Sequence, residues 1–232
     1  MTCILIGIVF SVCVLVGCFR GLIKVILSVA GLLASILVAV YAAPHLSVYL
    51  QENTKIDEKI ADYISEELHF DEMAEETSKG IQVTLINALP LQDNIRSGIL
   101  NNNNAEMYKA LGVNSVYDYI AKSIAVILLN AMVFFIMTVL CRLLFFFIGK
   151  KSEGFSRLPI VKWMDKLGGG LLGALKGIVL IWLFFLLLSV TGASTWSRDI
   201  TAQINQIYPL KLLYDHNIIL DIVGDLTRIL YH

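Results

Sequence analysis

Four apolar segments dominate this sequence, and each is close to the length that a helix needs to cross a membrane. They cover residues 3–19, 22–43, 124–148 and 168–190. The hydrocarbon core of a bilayer is about 30 Å thick, which takes roughly 20 helical residues. With 57% hydrophobic residues, 16% charged residues and a mean hydropathy of +0.73, the chain lies outside the usual range of soluble domains. The sequence therefore predicts an all-α integral membrane protein with four transmembrane helices.

The spacing of the apolar segments predicts two hairpin-like units. Only Arg20 and Gly21 separate the first two segments, so we expect a very tight turn between them. The predicted layout is transmembrane helices 1 and 2 in 1–43, an acidic helical insertion in 44–120, transmembrane helices 3 and 4 in 121–192 with a basic loop at 149–167, and an amphipathic tail in 193–232.

The distribution of charge predicts the orientation of the chain. Basic residues concentrate in the first turn and in the 149–167 loop, whereas 13 of the 19 acidic residues lie in 44–120. By the positive-inside rule, both basic connections face the cytoplasm. The N-terminus, the acidic insertion and the C-terminus are then predicted to be extracytoplasmic.

Local signals predict where several helices begin and end. Pro44 is expected to end the second helix, and Thr54 with Asp57 has the spacing of a capping box that starts the next one. Short helices are expected at 81–88 and 91–100, and Ser115 with Asp118 predicts the start of the third transmembrane helix. The amphipathic tail is expected either to lie on the outer interface or to pack on the insertion.

Small residues recur along the apolar segments, and in lipid such residues mark the faces where helices approach closely. The sequence predicts helix packing at eight of them: Gly17, Gly21, Ser28, Gly31, Ser35, Gly169, Gly173 and Gly177. If the stripe 169, 173 and 177 meets the 21–35 face of the second helix, packing within the chain explains it, whereas a stripe that faces lipid would indicate a missing protein partner. Residues 168–173 also satisfy the pattern G-x-G-x-x-G, but no strand precedes them and no acidic residue follows at the ribose-binding distance, so a dinucleotide site is rejected.

Six charged residues near the cytoplasmic ends of the helices are the candidate functional groups: Arg20, Lys24, Arg142, Asp165, Lys166 and Lys176. A carboxylate held among cations could relay protons or coordinate a permeant ion. The simpler interpretation, which we favour, is that Asp165 caps a helix that begins near residue 166 and that the cations anchor the helices at the interface.

Two short blocks share a pattern of Gly, two residues, a cation, Gly and two aliphatic residues, at 17–23 and 173–179. A duplicated two-helix unit and chance are both open explanations. With the adjoining residues 165–168, these blocks resemble the colicin V production protein family of bacterial inner-membrane proteins. The chain departs from that family in an acidic insertion of about 75 residues and in lysine where arginine is frequent, at 166 and 176. The resemblance implies a four-span inner-membrane protein linked to peptide-toxin export and envelope maintenance.

The sequence offers no catalytic residues, no metal site and no cofactor site, so we expect no enzyme and no nucleic-acid partner. The expected partners are the lipid bilayer and either a second copy or other membrane proteins. The leading hypothesis is an accessory to the export or transport of peptides or small solutes and to envelope homeostasis. A conducting version requires a polar path, for which Asn130, Ser28, Ser35 and Thr138 are the candidate lining. The alternative is a non-transporting scaffold that recruits envelope partners through the acidic insertion and tail, and it predicts a sealed apolar core.

Overall fold

The computed structural model describes residues 2–68, 70, 79–89, 91, 93–150, 162–191 and 195–229. Every regular element in these ranges is a helix. Four are long and apolar enough to cross a membrane: α1 (Thr2–Arg20), α2 (Leu22–Asn53), α7 (Val116–Lys150) and α8 (Lys162–Val190). The prediction of an all-α chain with four membrane-crossing helices is confirmed.

The remaining helices are short and lie in two groups. Between α2 and α7 come α3 (Ile56–Glu67), α4 (Lys79–Ala88), α5 (Asp93–Asn101) and α6 (Ala105–Leu111), and after α8 come α9 (Thr195–Asn205), α10 (Tyr208–Asp215) and α11 (Ile218–Ile229). Local capping explains several of their limits. The Ser115 hydroxyl accepts a hydrogen bond from the Asp118 amide at 3.0 Å, and Asn104 caps α6 in the same way. Gly112 ends α6 in the left-handed conformation, with φ of 68°.

Pro44 lies inside α2 rather than at its end. A proline removes one backbone donor, so the carbonyl four residues earlier loses its helical partner. The helix continues because Ala39, Ala43 and Ser47, on both sides of the proline, are almost fully buried. Packing of this face offsets the loss of one hydrogen bond.

The helix after α2 does not start with a capping box. Thr54 is the residue that ends α2, and its hydroxyl donates to the Leu50 carbonyl at 2.5 Å. The helix α3 begins with Lys55 as its cap and has no side-chain capping bond. Asp57 therefore does not cap α3, and the capping box predicted from its spacing is wrong.

The long helices pair across the two predicted hairpin units. The main partner of α1 is α8, and the main partner of α2 is α7. Gly17 lies beside Gly169, and Phe10 lies beside Gly177, so α8 runs antiparallel to α1. Leu22 lies beside Gly168, and Ser28 beside Lys176, so α8 runs parallel to α2. The helix α8 therefore packs against both arms of the α1–α2 turn.

One apolar core joins the membrane helices to the short helices. It contains Ile36 of α2, Phe134 of α7 and Leu186 of α8 together with Ile64 of α3 and Ile86 of α4. The tail divides between two places. Ile219, Leu220 and Val223 of α11 enter this core, whereas Ile204 of α9 and Tyr214 of α10 pack with Ile6 of α1 and Phe185 of α8 in a second cluster.

Candidate functional site

The glycines of α1 and α8 form a close helix contact, which we name the glycine contact: Gly17, Gly169 and Gly173. A Cβ atom on Gly17 would overlap the Gly169 carbonyl oxygen, and one on Gly173 would overlap the Cys13 carbonyl oxygen. The backbones approach so closely that no side chain fits at these positions. Gly177 continues the stripe, where an added Cβ would lie 3.0 Å from the Phe10 ring.

The stripe of α8 thus meets α1, and not chiefly the 21–35 face of α2. The stripe touches α2 at its start, where an added Cβ on Gly169 would lie 3.4 Å from the Gly21 carbonyl carbon, and the neighbouring Gly168 faces the side chain of Leu22. The two copies of the short repeat also differ in structure. Gly21 lies in the break between two helices with φ of 80°, whereas its counterpart Gly177 lies in the middle of α8.

Asp165 closes the turn between α1 and α2. Its Oδ1 atom accepts a hydrogen bond from the Leu22 amide at 2.6 Å, although the two residues are far apart in the chain. The first amides of a helix have no partner within the helix, and a carboxylate there also interacts favourably with the helix dipole. Since α8 begins at Lys162, Asp165 caps α2 and not a helix that begins near residue 166.

Gly21 fits this arrangement for two reasons. Its positive φ favours glycine, and an added Cβ would lie only 2.5 Å from the carboxylate of Asp165. The glycine therefore permits both the turn and the approach of the cap.

Two cations meet at one hydroxyl in a group that we name the Ser28 cluster: Ser28, Arg142 and Lys176. The Ser28 Oγ atom accepts a hydrogen bond from Arg142 at 3.0 Å and another from Lys176 Nζ at 3.1 Å. Gly31 makes room for the guanidinium, because an added Cβ would lie 2.8 Å from Arg142 Nη1. The cluster joins α2, α7 and α8. No acidic side chain among the described residues forms an ion pair with Arg142 or Lys176.

A cavity of about 210 Å³ lies beside the Ser28 cluster, between α1, α2 and α8. Ser28 and Lys176 line one part of it, and Arg20, Val12 and Val16 of α1 line another. These three α1 residues are exposed, so the cavity opens to the surroundings of the helices. It is large enough for a small polyatomic ion or several waters.

The other predicted charges lie outside the cluster. Lys24 and Lys166 are exposed, as expected for anchors at an interface. The Ser35 hydroxyl donates to the Gly31 carbonyl of its own helix at 2.6 Å. Thr138 likewise donates to the Phe134 carbonyl at 2.9 Å.

A partly buried ion pair that sequence reasoning does not predict lies at the opposite end of α7. Lys122 Nζ lies 2.7 Å from the Asp57 carboxylate, and the two side chains are 15% and 9% exposed. A signal is present in the sequence, because Asp57 precedes Ile60 and Ile64 by three and seven residues and so shares their helix face. That face is buried. Glu58, Asp62, Glu66 and Asp118 line an acidic groove nearby, with a volume of about 640 Å³.

A family model described as colicin V production protein matches residues 3–70 and 109–210, which is well over half of the chain. The chain belongs to the colicin V production protein family. No curated protein and no solved structure matches the chain.

The match to the colicin V production family contains all residues of the glycine contact and of the Ser28 cluster, together with the Asp57–Lys122 pair. The internal stretch without a match is 71–108, and residues 211–232 also lie outside the match. The internal stretch is shorter than the insertion of about 75 residues that the sequence suggests. It contains α4 and α5, whereas α3 and all of α7 lie inside the matched segments.

Proposed function

We propose that this member of the colicin V production family is a non-conducting, non-enzymatic accessory of the inner membrane. It supports the export of peptides or small solutes, and envelope homeostasis, by holding partner proteins rather than by carrying the cargo. The membership supports the membrane location. The positive-inside rule supports an orientation with the Ser28 cluster near the cytoplasm and α3–α6 and α9–α11 outside.

The observation that carries this proposal is the closure of the core around Ser35 and Thr138, two of the four candidate lining residues. Ser35 and Thr138 are buried, and each hydroxyl donates to a carbonyl of its own helix. Large apolar side chains, Ile36 and Phe134 among them, fill the space between the helices at these levels. Hydroxyls that bond to their own helix do not form a connected polar path, which conduction through a single chain requires.

The acidic groove is the surface that we assign to partner binding. Glu58, Asp62 and Glu66 are exposed on α3 and face the groove. Basic segments of a partner are the matching chemistry, because complementary charge accelerates and selects the encounter. A scaffold that acts independently of export remains the second candidate, and the same groove supports it.

The test measures flux and association on the same preparations. Proteoliposomes with the wild-type chain should show no proton or potassium flux above that of protein-free vesicles, and Asp165→Asn should behave identically. In cells, Glu58→Lys with Asp62→Lys should reduce recovery of a cross-linked, outer-facing partner. Asp199→Lys with Asp215→Lys changes the net charge equally on exposed tail residues and should leave that recovery unchanged.

Flux above background that disappears when the Ser35 or Thr138 hydroxyl is removed would overturn the non-conducting role. Equal loss of the partner in both charge-reversal variants would remove the groove from the proposal. If both charge-reversal variants still recover the partner, and export fails in cells that lack this chain, the accessory role stands and the partner binds elsewhere on the chain.

A further inference from the structure

The Ser28 cluster holds two positive charges without a negative partner among the described residues. A serine hydroxyl can accept two hydrogen bonds, so it satisfies the geometry of Arg142 and Lys176 but not their charge. Cations within membrane helices are costly unless a carboxylate, a carbonyl or water compensates them. The two charges therefore attract an anion.

Asp165 does not serve as that anion. It lies eleven residues before Lys176 on the same helix, which is about 16 Å along the helix axis. One of its oxygens is also engaged by the Leu22 amide at 2.6 Å. The nearest capping carboxylate is thus committed to the α1–α2 turn.

The cavity gives an anion a route to Ser28 and Lys176, and Arg142 adjoins them through its hydrogen bond to Ser28. Its α1 wall extends from Val12 to Arg20, which is about 12 Å along the helix. Arg20 is the last residue of α1, and the length of the apolar helix together with the positive-inside rule assigns this end to the headgroup region. Ser28 and Lys176 lie deeper in the cavity, and the exposed Val12 and Val16 present an apolar surface to lipid chains. A third cation therefore stands on the path from the headgroup region.

The shape of the donors selects the class of anion. Arginine presents several N–H groups in a fixed plane and suits the oxygens of a phosphate, and lysine adds a point charge. The Ser28 hydroxyl can turn its own hydrogen toward the same oxygens. We propose that the Ser28 cluster, with Arg20 at the entrance, binds a phosphate oxyanion, supplied by the headgroup of an anionic phospholipid or by free phosphate.

The exposed apolar wall distinguishes the two sources. A phospholipid would place its phosphate on the cluster and its chains along α1, so its binding would depend on both. Free phosphate would need the cations alone. The binding does not depend on whether the chain conducts or recruits partners, so the two proposals fail separately.

The full-length protein in neutral detergent provides the test, with native mass spectrometry as the readout of bound ligand. Phosphatidylglycerol, phosphatidylcholine and inorganic phosphate are the three probes. We expect the wild type to retain phosphatidylglycerol about tenfold better than phosphatidylcholine, since a charge-assisted hydrogen bond contributes about that factor. Arg142→Gln with Lys176→Gln should abolish the preference. The matched control Lys24→Gln removes an exposed cation from the same end and should change retention by at most about threefold.

Ser28→Asp keeps the test decisive if the double variant does not fold. Its carboxylate would stand between the two cations and replace the ligand, so the preference for phosphatidylglycerol should be lost while the melting temperature is kept or raised. Stabilisation of the wild type by inorganic phosphate, lost in Ser28→Asp, would support the site with the soluble source. Equal retention of phosphatidylglycerol by the wild type and Ser28→Asp, or an equal loss in Lys24→Gln, would overturn the proposal.

Discussion

The partly buried cations at the two ends of α7 are compensated in opposite ways. At one end, Lys122 lies 2.7 Å from the carboxylate of Asp57. At the other, Arg142 and Lys176 share only the hydroxyl of Ser28, and the carboxylate of Asp165, earlier on α8, binds a backbone amide instead. A buried ion pair is complete within the chain, whereas two cations on a neutral oxygen leave a net charge. The first arrangement is therefore structural, and the second can take a ligand.

The Ser28 cluster can form because glycines bring the helices together. At the glycine contact, α1 and α8 touch backbone to backbone, and Gly31 leaves space for the guanidinium of Arg142. Near Asp57, apolar side chains such as Ile64 do the packing. Close backbone approach thus positions the charges at one end, and side-chain packing does so at the other.

The largest expected effect is the loss of the glycine contact. Gly17→Leu should lower the free energy of unfolding by about 3 kcal/mol, because a side chain must displace the backbone of α8. Thermal unfolding in detergent, followed by size-exclusion chromatography, measures the change. The control Gly7→Leu lies on the same helix, has no neighbouring atom within 4 Å of the added Cβ, and should shift stability by less than about 0.5 kcal/mol. Similar shifts in both variants would contradict a close contact at Gly17.

Breaking the ion pair between Asp57 and Lys122 should have the next largest effect. Asp57→Asn leaves Lys122 without its carboxylate and should cost about 2 kcal/mol, less than for a fully buried pair because both side chains keep some exposure to water. The double variant Asp57→Asn with Lys122→Gln should be more stable than the sum of the single changes by about 1 kcal/mol. Strict additivity would mean that the two groups do not interact.

Asp165 should have a smaller effect, of the size of a helix cap. Asp165→Ala should cost about 1 kcal/mol because the Leu22 amide loses its acceptor. Asp165→Asn keeps an acceptor oxygen and should cost less than half as much. Equal losses in unfolding experiments on the two variants would show that charge, rather than capping, is what the site needs.

The smallest expected change in the free energy of unfolding should differ in sign between the two ends of α7. Lys176→Gln keeps a donor for Ser28 and removes repulsion from Arg142, so we expect stabilisation by about 0.5 kcal/mol in neutral detergent without phosphate. Lys122→Gln at the other end should destabilise. Lys24→Gln, at an exposed position, should be nearly neutral. Destabilisation by Lys176→Gln under these conditions would contradict an unbalanced charge in the Ser28 cluster.

Local signals in the sequence predict the elements well where one segment decides the outcome. The four apolar runs predict the long helices because a run of about 20 apolar residues has few alternatives to a membrane helix. Ser115 and Asp118 predict the start of α7 because a cap involves neighbouring residues. Pro44 wrongly predicts the end of α2. The hydrogen bond that it removes is a local cost, whereas the burial of Ala39, Ala43 and Ser47 that offsets this cost comes from tertiary packing.

The sequence alone identifies charged residues of the candidate site, but it does not show which residues contact each other. Arg142 and Lys176 are recognisable as rare charges within apolar segments. Their common acceptor is not, because Ser28 lies 114 and 148 residues away from them in the chain. The same limit applies to Asp165, whose amide partner lies on α2, and to Asp57, whose partner Lys122 lies on α7.

The sequence by itself determined the class of this protein, the number of its long helices and the end at which its cations collect. These properties follow from the length and charge of single segments. Only the tertiary structure decided that the glycines of α8 face α1, that Asp165 caps α2, and that two cations meet at one serine. Each of these contacts depends on which helices pack against each other. That pairing is set by how the surfaces of several helices fit together, and no single segment of the sequence contains this information.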